Sequence, residues 1–113
     1  MKDLSVVVPV FNESESIDEL DAMIHVVLKK SSLNYELIYI DDGSTDGSWT
    51  KIKRLASNNS KILGLRFLKN YGKSMALSAG FKKSSGNIVI TMDSDLQDDP
   101  KEIIPLYKII TEE

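Results

Sequence analysis

Ser5-Val6-Val7-Val8-Pro9-Val10 opens the chain with an apolar run that does not alternate, and Phe11-Asn12-Glu13 follows at once. Such a run suits a strand covered on both faces, the condition of a strand inside a parallel sheet. Pro9 has no N–H for a ladder and is expected to mark the strand's end. Beyond it, Ile17, Leu20, Ile24, Val27 and Leu28 recur at helical spacing, so a helix is predicted over roughly residues 14–30. Asn12 and Glu15 stand three apart ahead of that stripe and read as a capping pair.

The pattern repeats downstream. Tyr35-Glu36-Leu37-Ile38-Tyr39-Ile40 predicts a second strand stopped by Asp41-Asp42-Gly43, and Trp49, Ile52, Leu55 and Ala56 mark a second helix. A third strand is expected from Ile62 to Leu68, then a helix from Ser74 to Lys83 whose Ala76, Ala79 and Gly80 let it lie close to the sheet. Asn87 to Met92 reads as a fourth strand. Asp99, Pro100 and Glu102 have the N-cap, first and third positions of a last helix, which Pro105 is expected to kink. Alternating strands and helices predict an α/β fold: an open, mainly parallel sheet with helices on both faces.

Composition narrows the partners. A chain of 113 residues with 42% hydrophobic and 27% charged side chains forms one modest globular domain rather than a disordered segment. A net charge of -3 and a pI near 5.2 argue against nucleic acid, whose phosphates need a basic face. The absence of cysteine excludes thiolate metal sites and favours an intracellular, here cytoplasmic, setting. The apolar start is too short for a signal peptide or a membrane span, so the segment reads as soluble.

In open α/β sheets ligands bind beyond the carboxyl ends of the strands. Four acidic or polar loops fall there: Phe11-Asn12-Glu13, Asp41-Asp42, Asn70 to Lys73, and Asp93 to Gln97. Asp93-Ser94-Asp95 places two carboxylates one residue apart in a turn, an oxygen set that suits Mg or Mn and leaves coordination positions for phosphate oxygens; Gln97 could add a neutral oxygen. A solvated acidic turn before a capped helix would share this string. Asp41-Asp42 can accept hydrogen bonds from a base or ribose, or simply end a strand. Phe11 offers a face to a base, Pro9 a fixed backbone, Asn12 and Glu13 polar groups at a helix start, and Lys73 a charge for a diphosphate.

Other patterns fail. Gly72-Lys73-Ser74 ends like a phosphate-binding P-loop, but Phe67 stands where the first glycine is required. Asp42 to Gly47 imitates the start of a calcium loop, yet Lys53 occupies the place of its bidentate glutamate. His25 sits near the apolar stripe of the first helix and reads as a satisfied or surface histidine rather than a base. A receiver-like, Mg-binding signalling module would need its acidic pair after the first strand, where Pro9-Val10-Phe11 stands instead. A nucleotidyltransferase would need a glycine-rich basic signature near that strand, which is absent.

Val6-Val7-Val8-Pro9-Val10-Phe11-Asn12-Glu13, Ile40-Asp41-Asp42-Gly43-Ser44-Thr45-Asp46-Gly47 and Met92-Asp93-Ser94-Asp95-Leu96-Gln97-Asp98-Asp99-Pro100 together resemble the family 2 glycosyltransferases of GT-A fold. Lys69 to Gly80 with Asp93 to Pro100 looks most like their polyprenyl-phosphate branch, which transfers a hexose to dolichyl or undecaprenyl phosphate. The resemblance implies the Rossmann-like, nucleotide-binding half of such an enzyme. It implies a UDP- or GDP-linked sugar as donor and a divalent cation, Mg or Mn. A lipid-phosphate acceptor would be met at the cytoplasmic face of a membrane by the full-length protein. A sugar-hydroxyl acceptor of polysaccharide or cell-wall synthesis is the alternative.

By the same resemblance Pro9, Phe11, Glu13 and Asp42 would line the nucleotide; Asn12, Asp41, Lys73 and Ser94, in the same loops, are further candidates for the donor site. Asp93 would face ribose and metal, and Asp95, the candidate catalytic residue, would hold metal and diphosphate with Gln97. Family members continue past the helix after Asp95, whereas this sequence stops at Glu113, so residues 1–113 are expected to be a truncated domain lacking its acceptor half. Such a piece would bind a nucleotide weakly without turnover, and its open sheet edge would permit homo-oligomers.

Overall fold

The computed structural model describes residues 2–111. The valine run forms β1 (Lys2–Val10), an inner strand of a four-stranded, all-parallel sheet. Its order is β3 (Ile62–Arg66), β2 (Tyr35–Asp41), β1, β4 (Gly86–Thr91). Between strands run α1 (Ile17–Lys29), α2 (Ser48–Asn58) and α3 (Lys73–Lys83), and after β4 a 3-10 turn (Pro100–Glu102) leads into α4 (Ile103–Thr111). Because β2 and β4 lie on opposite sides of β1, the strand order reverses at β1, and a crevice opens at its carboxyl end.

Strand alternation sorts the core into two layers. Leu4, Val6, Val8 and Val10 of β1 join Leu37 and Tyr39 of β2 against α1, α2 and Ile103 of α4. Val7 joins Ile38 and Ile40 against Ala76 of α3 on the other face. Ile17, Leu20, Ile24 and Leu28 are fully buried, which is why α1 holds its place: each such side chain contributes about 1.5–3 kcal/mol when removed from water. α3 lies close because of Gly80. A Cβ there would come within 2.4 Å of Val7 Cγ1 and 2.8 Å of Ile40 Cδ1.

A buried polar cluster fixes α1 on β2. Tyr39 Oη donates to Asp21 Oδ1 at 2.7 Å, Tyr35 Oη lies 2.7 Å from His25 Nδ1, and His25 Nε2 lies 3.2 Å from the same Asp21 oxygen. His25 is thus a buried histidine bonded through Nδ1, while its Nε2, close to Asp21, makes no hydrogen bond among the described residues. Glu36 clamps the start of β4: Oε2 accepts from Ser5 Oγ at 2.6 Å and from Ser85 N and Oγ at 2.6 and 2.9 Å. Burial pushes its carboxyl upward, but these hydrogen bonds and nearby Lys2 outweigh it and hold the group below the ordinary range.

Four local expectations are corrected. β1 runs through Pro9, which pairs in register with Ile40 of β2. Its missing N–H faces β4, where pairing has already ended at Val7 and Thr91, so Pro9 ends one ladder rather than the strand. Asn12 does not cap α1: it takes a left-handed φ of 53°, and the N-cap is Ser16. β3 stops at Arg66, two residues early, and Leu68 is 94% exposed. Asp99 does act as an N-cap, accepting from Lys101 N at 2.9 Å, but the turn it caps is 3-10. Pro105 therefore falls in the first turn of α4, where its missing N–H has no intrahelical partner to lose.

Candidate active site

The loops at the crevice are built on one another. Asn12 is their hub: its Oδ1 accepts from Thr45 N at 2.8 Å and Asp46 N at 3.3 Å, and its N–H donates to Ser44 Oγ at 2.8 Å. Asp46 answers by accepting from Ser14 N, Ser48 N and Ser48 Oγ. Slight burial pulls its carboxyl up, but the Ser48 and Ser14 hydrogen bonds bring it down to about 2. Glu13 N in turn donates to Ser48 Oγ at 3.0 Å, so the segment after β1 is locked to the start of α2.

Asp42, 4% exposed, orders the far side. Its carboxylate accepts from Tyr71 N at 2.8 Å, Gly72 N at 3.0 Å and Asn70 Nδ2 at 3.2 Å. Gly72, at a φ of 103°, lets the chain present both amides before α3 begins. Lys73, the first residue of α3, then reaches across the crevice and donates to Asp93 Oδ1 at 2.5 Å. That hydrogen bond, with the charges of Asp93, Asp98 and Asp95, raises the Lys73 ammonium above its usual range.

The acidic turn is held on three sides. Asp93 N donates to Asp98 Oδ2, Gln97 N donates to Asp95 Oδ1, and Ser16 Oγ donates to the Ser94 carbonyl at 2.7 Å in a buried contact. Leu96 adopts a left-handed φ of 67°, a costly conformation for leucine that the surrounding contacts maintain.

The outcome is a cleft of about 250 Å³ lined by Pro9, Val10, Phe11, Glu13, Asp42, Lys73, Asp93, Ser94 and Asp95. Phe11, 46% exposed, supplies its largest free aromatic surface. Three expected site residues stand outside the lining: Asn12 in the loop hub, exposed Gln97 on the outer turn, and Asp41. Asp41 is fully buried on the α1–α2 face, with Oδ1 accepting from Ser44 N at 3.2 Å and its other oxygen without a partner among the described residues. The Asn70–Lys73 loop was expected at this edge, but its grip on Asp42 was not, nor were Val10 as a lining residue and Ser16 as a tether; neither Val10 nor Ser16 carries a sequence signal for the role.

Among the described residues no three Asp, Glu or His side chains converge as a metal cage. Asp93 and Asp95 both line the cleft, a hard-oxygen pair that fits a cation completing its shell with water and phosphate. No helix among the described residues is long and apolar enough to cross a membrane.

The Glycosyl transferase family 2 profile matches residues 5–113. An undecaprenyl-phosphate 4-deoxy-4-formamido-L-arabinose transferase of Aeromonas hydrophila is 44% identical over 104 residues, covering 91% of this chain and 32% of the relative. The chain thus spans about a third of the length of the curated relatives it matches. Glucosyl-3-phosphoglycerate synthase of Mycobacterium tuberculosis, solved with UDP, superposes with a TM-score of 0.69 at 29% identity, over 96% of this chain and 40% of that one. A Pyrobaculum calidifontis mannosyltransferase, solved with GDP-Man and Mn2+, gives 0.68 at 25%, over 84% and 30%. With matching sequence motifs, parallel α/β architecture and a cleft at the strand-order reversal, the chain belongs to glycosyl transferase family 2 and has the GT-A fold.

Proposed function

We propose that this chain is the donor-binding part of an enzyme that transfers a sugar from a nucleoside diphosphate to a polyprenyl phosphate. The observation that carries it is the cleft: an aromatic side chain, a lysine and two turn carboxylates share one crevice at the strand-order reversal. The acceptor class follows from the Aeromonas relative, whose name specifies undecaprenyl phosphate.

On this reading Phe11 stacks on the base, and Pro9, Glu13 and Asp42 line the nucleotide. Asp42 already accepts three hydrogen bonds, which leaves its carboxylate room for one further donor from base or ribose. Asp93 and Asp95 hold Mg or Mn, with Gln97 contributing if the outer turn folds inward, and Lys73 leaves Asp93 for the diphosphate. The cation, when bound, offsets charge on the departing diphosphate. An acceptor phosphate oxygen attacks the anomeric carbon, the bond to the diphosphate breaks, and its electron pair leaves with the diphosphate, inverting the centre. A phosphate acceptor arrives ionised, so this site needs no general base. The acceptor-side groups belong to the length of the relatives that this chain does not span.

Transfer from labelled UDP- and GDP-sugars by the full-length protein tests the acceptor. Label is expected on a short polyprenyl phosphate and absent from free sugar acceptors; label on sugar hydroxyls alone would overturn the acceptor class.

A further inference from the structure

All seventeen acidic residues lie in residues 1–46 and 93–113. The 46 residues from Gly47 to Met92 contain none and carry nine of the fourteen Lys and Arg side chains. This stretch supplies α2, β3, α3 and β4, and within it α3 alone covers its face of the sheet among the described residues. Its inward side is Ala76 and Gly80. Helical periodicity then puts Met75, Ser78, Phe81 and Lys82 on the opposite side, within an arc of about 120°. Met75 is 55% exposed and Phe81 47%. The loop before α3 extends the same surface with Tyr71, 53% exposed, whose ring packs edge-on against Phe67 of that layer and has the Lys69 ammonium 5.3 Å from its centre.

We infer that this α3 face docks on an anionic lipid bilayer. Large apolar side chains interleaved with lysines, without a carboxylate in the segment, are what a negatively charged headgroup layer complements. A second copy of the chain fits poorly, because the face would meet itself lysine to lysine. The opposite face differs: exposed Met23 and Val26 of α1 line a groove with Lys101 but also with Asp99, and Glu19 stands one turn before Met23. The surface is also continuous with the cleft, since Tyr71 N is held by Asp42 and Lys73 lines the crevice two residues on. A bilayer on α3 therefore sits beside the donor site. The consequence, delivery of a lipid phosphate to the cleft, rests on the acceptor class proposed above; the docking itself rests on the charge pattern and exposure.

Co-sedimentation of the chain with vesicles at low salt, without nucleotide, tests it. Binding is expected to vesicles containing phosphatidylglycerol, not to pure phosphatidylcholine, and to fall as salt rises. Lys82→Glu is expected to lower the partition about fivefold or more, and together with Lys69→Glu more than about twentyfold, at about fivefold for each lysine removed. Met75→Ser with Phe81→Ser also lowers it, and Lys53→Glu, on α2 across the sheet and equal in charge change to Lys82→Glu alone, leaves it unchanged. All these side chains are exposed, and an unchanged urea midpoint confirms each fold. The inference is overturned if phosphatidylglycerol vesicles do not bind, if Lys53→Glu costs as much as Lys82→Glu, or if Phe81→Ser merely dissolves a dimer. Mn2+-dependent binding of UDP or GDP, measured alongside, is independent: absence of both would sink the donor-site reading and leave the vesicle result standing.

Discussion

Asp46 illustrates how single carboxylates hold the loops from which the cleft is made. Its three hydrogen bonds bridge the β1–α1 loop and the start of α2, and they keep its group near 2 in the fold against 3.8 without them. A carboxyl depressed by folding stabilises the protein at pH values above its unfolded value, and that contribution is lost as pH falls through the folded one. Stability of the parent is therefore expected to decline between about pH 4 and pH 2, with Glu36 acting in the same direction. Asp46→Asn should be less stable near neutrality and show a flatter acid limb in urea unfolding followed at several pH values. Adjacent Asp41 and Asp42 were both expected at the nucleotide. Strand alternation, present in Leu37-Ile38-Tyr39-Ile40, is the signal that separates them: it sends Asp41 into the α1–α2 layer and Asp42 toward α3, and only Asp42 lines the cleft. Asn12 was not legible, because helix cap and loop hub demand the same residue type and differ only in backbone angle.

At the scale of elements, period and burial agree almost throughout, which is why four strands and the three helices between them could be placed within a few residues. What the period could not give was approach distance. α3 has weak amphipathicity and is held mainly by small residues, so its fit depends on Gly80 against Val7 and Ile40. Gly80→Ala gains about 1 kcal/mol of helix propensity but forces overpacking of about 2–3 kcal/mol against an inner strand. A net loss of about 1–2 kcal/mol in urea unfolding is expected, whereas Ser78→Ala on the exposed side should raise stability by a few tenths.

For the whole molecule, topology does the assembling. An order of β3-β2-β1-β4 forces the β1, β2 and β4 carboxyl ends and the start of α3 to one crevice, so segments more than eighty residues apart contribute to one site. Sequence position alone put the loops at that edge. The Ser16 contact to the Ser94 carbonyl and the reach of Lys73 to Asp93 required coordinates, since both join elements with no pattern in common. The most direct test of the donor-site account is calorimetric titration of UDP and GDP, with and without Mn2+, into the parent and Asp95→Ala. The account predicts Mn2+-dependent binding of at least one nucleotide to the parent, weakened tenfold or more, about 1.4 kcal/mol, in the variant. Equal Mn2+ and diphosphate binding by the two proteins would contradict it.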